Sequence, residues 1–228
     1  MHRDWQVFWS RQHDPRYGTD DPEFIRNHGE EIAILLGDLE DRRVLELGCG
    51  SGTLYRALGL QRTQAYRGVD FSQSMLDEFR GHEPDVQVLC ADAASYRDSD
   101  QYDVVFSNQV AQYFDRTMLE RHLANACAML APGGRILLCS VPWKNARAAY
   151  HVPSTPGNLL RYARGWCRLC LSRLGVDRLG HWYSFRDFRR LARAQGLEVR
   201  FFGCMHYPYR FHAEFRATRV DARPAPSP

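Results

Sequence analysis

Apolar residues recur along this chain in two alternating rhythms, one of helical period and one of short continuous runs. Ile25, Ile32, Leu35, Leu36 and Leu39 fall at helical spacing behind Asp21-Pro22-Glu23, where Asp21 suits the cap, Pro22 the first helical position and the acid the first turn. A helix is therefore predicted ahead of the first strand. Val44-Leu45-Glu46-Leu47 is a short apolar strand that runs into glycines, after which Leu54, Tyr55, Leu58 and Leu60 return to helical intervals. The alternation then repeats, with a second strand over residues 66–70 and a helix through Met75, Leu76 and Phe79. A third strand follows over 86–90, then a fourth over 102–107, a helix over 117–130, a turn at Ala131-Pro132-Gly133-Gly134 and a fifth strand over 135–140. Strands alternating with helices at this spacing predict an α/β fold: a three-layer, mostly parallel sheet with helices on both faces.

Beyond Pro142 the rhythm breaks. Residues 143–183 hold Pro153, Pro156 and Gly157 and then a separate helix over about 158–174, which reads as an inserted lid between strands five and six. Ser184-Phe185-Arg186-Asp187 is a capping-box start for another amphipathic helix ending at Gly196. Two β-rich runs, 197–202 and 211–220, flank Tyr207-Pro208-Tyr209 and predict an antiparallel pair. The proline-rich stretch 222–228 is expected to be disordered. The expected organisation is one domain over 1–221, in which 1–42 form an N-terminal cap and helix.

Composition narrows this only in places. With 228 residues and 44% hydrophobic content the chain can fill one sizeable core. No apolar run reaches membrane-spanning length, and Met1-His2-Arg3-Asp4-Trp5 lacks the apolar centre of a secretory signal, so a cytoplasmic location is expected. Seven scattered cysteines predict reduced and mostly buried thiols, and the lone Cys167-Arg168-Leu169-Cys170 reads as helix packing, with no metal site expected. Net charge is only +3, yet residues 143–193 carry eleven basic residues against Asp177 and Asp187, a local +9 that leaves −6 for the rest.

The candidate chemistry begins at the turn after the first strand. Gly48, Gly50 and Gly52 let the backbone approach a ligand beside the positive end of a helix. A nicotinamide site would be expected to show G-x-G-x-x-G or A, and the third position here is Thr53. Glu46 argues further against a pyrophosphate, which it would repel, and for an ammonium or sulfonium group, which it would attract. The run Glu46-Leu47-Gly48-Cys49-Gly50-Ser51-Gly52 resembles the first motif of the class I, Rossmann-like methyltransferases that use S-adenosylmethionine. Three further positions agree with that family. Asp70, ending the second strand, matches the acid that grips the ribose; Phe71 matches the apolar residue packed on adenine, and Ser72 to Leu76, with Met75, the helix start that follows. Asp92, with Ala93 beside it, matches the acid that accepts from the adenine amino group, and Asn108 the position beside the methionine moiety. The resemblance covers roughly residues 31–140. It implies S-adenosylmethionine as cofactor, S-adenosylhomocysteine as product, and a cofactor site built from Glu46, Gly48, Cys49, Gly50, Gly52, Asp70, Phe71, Met75, Asp92, Ala93 and Asn108. Asp70 and Asp92, taken singly, are equally good caps or turn formers.

The acceptor side is less defined. Gln109, Tyr113 and Phe114 follow the fourth strand, at the sheet edge where α/β folds bind ligands. A hydroxyl acceptor needs a base, and His151, His181, His206 and His212 are weighed for it, with Tyr113 and His181 as the catalytic candidates. His212 alternates with apolar neighbours and is expected to face solvent. In the inserted helix, Arg161, Arg164 and Arg168 line one side while Leu159, Leu160, Tyr162, Ala163, Trp166, Leu169 and Cys170 cover much of the rest. Such a lid can bind an anionic substrate, lie on a membrane surface, or merely solvate its arginines. No nucleic-acid module is present and the isoelectric point, about 8.5, is moderate, which argues against RNA or DNA. Trp5, Phe8, Trp9 and Tyr17 are candidates to fold over the cofactor. The expected function is O-methylation of a small-molecule, glycan or lipid-linked acceptor by in-line displacement. Alternatives are N-methylation and a cofactor-binding module without turnover.

Overall fold

The computed structural model describes residues 22–152, 159–174, 177 and 179–218. Asp21, the aromatic residues Trp5, Phe8, Trp9 and Tyr17, the prolines of the insertion, Arg178 and the 222–228 tail lie outside these residues. Among the described residues the order is α1 (Pro22–Leu36), β1 (Arg43–Leu47), α2 (Thr53–Leu58), β2 (Ala65–Asp70), α3 (Gln73–His82), β3 (Val88–Cys90) and β4 (Tyr102–Asn108). It continues with α4 (Arg116–Ala128), β5 (Leu130–Pro142), α5 (Arg147–His151), α6 (Leu159–Arg173), α7 (Phe185–Ala194), β6 (Leu197–Gly203) and β7 (Arg210–Ala217).

The strands form one seven-stranded sheet in the order β3-β2-β1-β4-β5-β7-β6. β1 to β5 pair in parallel, while β7 runs antiparallel between β5 and β6. Side chains alternate across the sheet with the period of two that a strand imposes. Leu45, Leu47, Val105, Ile136 and Leu138 face one core, with Leu119 and Leu123 of α4 and Phe188 of α7. Val44, Val104, Phe106, Leu137 and Cys139 face the other, with Ile32 of α1, Leu54 of α2 and Phe79 of α3. Burial on both faces explains why these strands read as continuous apolar runs.

Several boundaries differ from the sequence expectation, each for a local reason. The helix expected to reach residue 130 ends at Ala128, because Leu130 pairs with Tyr102. The next register position, Val104 opposite Arg135, leaves extra residues in β5, so the Ala131-to-Gly134 turn is a bulge inside the strand, with Gly133 at φ +78°. The insertion contains the short helix α5, which is too brief to give a periodic signal. Ser184 and Asp187 form both halves of the capping box that opens α7. The expectation of mostly buried thiols is overturned: Cys49, Cys139 and Cys204 are buried, but Cys90, Cys167 and Cys170 are exposed and Cys127 is intermediate.

Candidate active site

The parallel strands deliver their carboxyl ends to one edge, and the chemistry-bearing residues sit on that edge. β1 ends at Glu46-Leu47, and the backbone then turns through Gly48 at φ +89°, Gly50 at φ +54° and Gly52 at φ +79°. A Cβ on Gly48 would stand 2.3 Å from Val110 Cγ2, so only glycine lets the turn lie against the segment after β4. Gly52 is crowded from another direction: a Cβ there would meet the Phe79 ring at 2.3 Å. The turn is tied to its neighbour by the Gly48 and Cys49 N–H groups, which both donate to Val69 O.

Asp70, at the end of β2, accepts from Gly50 N–H through Oδ2 and from Ser72 N–H through Oδ1, each at 2.9 Å. It shapes the turn, and each carboxylate oxygen keeps a second lone pair for a ligand. Asp92, after β3, accepts from Ala94 N–H at 2.9 Å and from Ser95 Oγ–H at 3.1 Å, the turn-forming role its type allows. Asn108, at the end of β4, accepts from His28 Nε2–H through Oδ1 at 2.8 Å. Glu46 is wholly buried and accepts from Tyr66 O–H at 2.6 Å. Burial pushes its carboxyl up to about 8, against the Tyr66 hydrogen bond and with the Asp70 charge adding to the rise. Burial also raises Asp70, against its backbone hydrogen bonds. Two buried acids thus share one end of the site, and their partners are neutral donors. Such an arrangement is completed by a cation, which fits a sulfonium-bearing nucleoside.

These residues open into one cavity of about 510 Å³. Glu46, Gly48, Cys49, Gly50, Asp70, Phe71, Met75, Asp92, Ala93, Asn108 and Tyr113 line it, as do Gln109 and Phe114. Gly52 does not; its role is packing on Phe79. His181 is not on the wall either: its backbone N–H donates to Gln112 O at 2.8 Å. Gln109, which lines the cavity after β4, takes a left-handed conformation at φ +56°, a strained backbone for a residue other than glycine.

The other end of the cavity was missed by sequence reasoning. His28 of α1, Tyr150 of α5, Tyr207, Tyr209 and Arg210 line it, and they come from segments far apart in the chain. Arg210 is buried, donating to Ser140 O and, at 2.9 Å, to Gln112 Oε1, with its guanidinium 5.6 Å from the Tyr209 ring centre. No carboxylate pairs with it among the described residues. Burial holds the His28 imidazole below the ordinary histidine value, so it is neutral at pH 7. The expectation that His212 faces solvent is overturned. Its Nδ1 accepts from Ser140 N–H at 3.3 Å and its Nε2–H donates to Glu31 Oε1 at 3.1 Å, because the face of β7 it occupies is covered by α1. His151 is likewise engaged, 3.1 Å from Asp177, and His206 is exposed.

The model of the methyltransferase-domain family matches residues 44–134. Ubiquinone biosynthesis O-methyltransferase of Coxiella burnetii is 26% identical over 108 residues, which cover 45% of this chain and 45% of that protein. The chain spans less than half the length of the curated relatives it matches. DesVI of Streptomyces venezuelae has the same fold, with a TM-score of 0.66 at 16% identity over 96% of this chain and all of that one. So does magnesium protoporphyrin IX methyltransferase of Synechocystis, solved with bound S-adenosylhomocysteine, at a TM-score of 0.64 and 15% identity over 94% and 92% of the two chains. A glycine turn and two strand-end acids thus fall on the stretch, residues 44–134, that is similar to the methyltransferase-domain family, and the chain has the fold of the class I, Rossmann-like methyltransferases.

Proposed function

We propose that the protein is an S-adenosylmethionine-dependent methyltransferase that methylates an oxygen of a small acceptor carrying an anionic group. The observation that supports this reading is the division of the cavity: an acidic end at Glu46 and Asp70, and a far end with a buried, carboxylate-free arginine among tyrosines. When bound, S-adenosylmethionine supplies an activated methyl group and leaves as S-adenosylhomocysteine. Asp70 would hold the ribose, Phe71 and Met75 the adenine, Asp92 its amino group, and Asn108, fixed by His28, the methionine end. Arg210 would take the acceptor's carboxylate or phosphate in a paired hydrogen bond, with Tyr150, Tyr207 and Tyr209 packing on its body. His28 lines the wall and, donating through Nε2–H, positions Asn108 rather than taking up the acceptor's proton. Positioning supplies most of the acceleration in such a reaction, so few side chains need take part in the chemistry.

The test is methyl transfer from labelled cofactor to a panel of hydroxylated acids, their uncharged analogues and the corresponding amines, with products read by mass spectrometry. Preference for the hydroxylated acids is the expected result. Products on nitrogen alone would defeat the oxygen assignment, and cofactor that binds without ever being consumed would favour the module without turnover. In calorimetry Asp70→Ala should weaken cofactor binding on the order of 10- to 100-fold, the worth of a charge-assisted hydrogen bond. Unchanged affinity would remove Asp70 from the site.

A further inference from the structure

The inserted helix α6 carries an amphipathic pattern turned inside out. Gly165, Leu169 and Ser172 make its buried side. The helix is clamped there: Ser172 Oγ–H, Trp182 Nε1–H at 2.6 Å, Leu179 N–H at 2.9 Å and His151 at 3.1 Å converge on Asp177, and Arg147 donates to Ser172 O at 3.1 Å. Among the described residues, the hydrogen bonds that hold α6 in place thus lie on its buried side. On the opposite face Leu160, Ala163, Cys167, Cys170 and Leu174 alternate three and four residues apart, with Leu159 and Leu171 beside them. Leu159, Leu160 and Leu174 are 80%, 70% and 79% exposed, and both cysteines are exposed. A water-facing helix normally shows its polar residues there.

The flanks of this apolar stripe identify what covers it. Arg164, Arg168 and Arg161 run along one edge, and Trp166 and Arg173 along the other, all exposed. The helix contains no Asp or Glu. We infer that α6 lies in the headgroup layer of an anionic lipid bilayer, its leucines among the upper acyl carbons and its arginines on the lipid phosphates. An apolar face with basic and tryptophan margins is the composition of an interfacial helix. At 15 residues the helix is too short to span a bilayer, and no described helix is long and apolar enough to cross one. A second copy of the chain is a poorer occupant, since pairing two such faces sets arginine rows against each other with no acid to meet them. Tyr150 and Leu179, which flank α6 in the chain, line the cavity. This inference stands apart from the methyl-transfer reading, because its readout is lipid binding alone.

Flotation of the purified full chain with vesicles of phosphatidylcholine alone, and with added phosphatidylglycerol, tests it. The expected result is binding to the anionic vesicles, weakened by salt and weak or absent with phosphatidylcholine. Arg164→Gln with Arg168→Gln should cost on the order of 10- to 30-fold in partition to anionic vesicles. Leu160→Glu with Leu171→Glu should remove it, while circular dichroism and cofactor affinity stay at wild-type values. Absence of vesicle binding by the wild type overturns the proposal. So does a concentration-dependent dimer in light scattering that the leucine variant dissolves while vesicle binding persists.

Discussion

On the proposed reading, Glu46 carries both the affinity and the pH response of the site. Burial first, and the Asp70 charge in addition, push its carboxyl from 4.5 up to about 8 in the absence of a cation. A folded pKa above the unfolded one means that this acid stabilises the free fold at low pH. That contribution is lost as pH rises from about 4.5 through 8. A cation placed beside Glu46 restores the carboxylate, so cofactor binding near pH 7 should expel a proton. Calorimetry in buffers of different ionisation heat should record release approaching one proton, and Glu46→Gln should abolish it. Equal proton release by the variant would exclude Glu46 as the source. This double role was half legible in the sequence: the acid before the glycines suggested a cation, but its enclosure by Tyr66 depends on the register of β1 against β2.

At the scale of elements, the glycine turn separates into two functions that the motif does not distinguish. Gly48 and Gly50 border the cavity, whereas Gly52 begins α2 and lies on the Phe79 ring. Gly52→Ala would force a left-handed alanine, at about 1–2 kcal/mol, and overpack a buried ring, at about 1–3 kcal/mol. Urea unfolding should therefore show a loss of several kcal/mol, with cofactor affinity of the folded protein little changed. A stable variant with impaired binding would return Gly52 to the cofactor site. Most elements were legible, because strands buried on both faces give apolar runs and α7 announces itself by Ser184 and Asp187. What could not be read was register. The bulge in β5, the short α5 and the inward-facing His212 all follow from how distant segments meet, and no local pattern records that.

Across the whole molecule, Glu31 is the tie between the first described helix and the last hairpin. Its carboxylate accepts from His212, from Met205 N–H and from Cys204 Sγ–H. Burial would raise this carboxyl, but those hydrogen bonds outweigh it and hold it at about 2. A depressed folded pKa gives stability that is present above about pH 4.5 and is lost as pH falls toward 2. Thermal unfolding followed from pH 7 to 3 should show the wild type losing stability steeply below pH 4.5. Glu31→Gln should start lower and lose less over that interval; parallel curves would show that the tie does not titrate as described.

The placement of β7 between β5 and β6 bears on the order in which the site can come into being. Every residue of its acidic end has been synthesised by Asn108, whereas Arg210 arrives a hundred residues later, in the strand that inserts between β5 and β6. A growing chain thus holds the residues proposed for the nucleoside well before it holds the arginine proposed for the acceptor. On the proposed reading, sequence change confined to the last hairpin and the lid redirects the choice of acceptor while the other end of the cavity stays untouched.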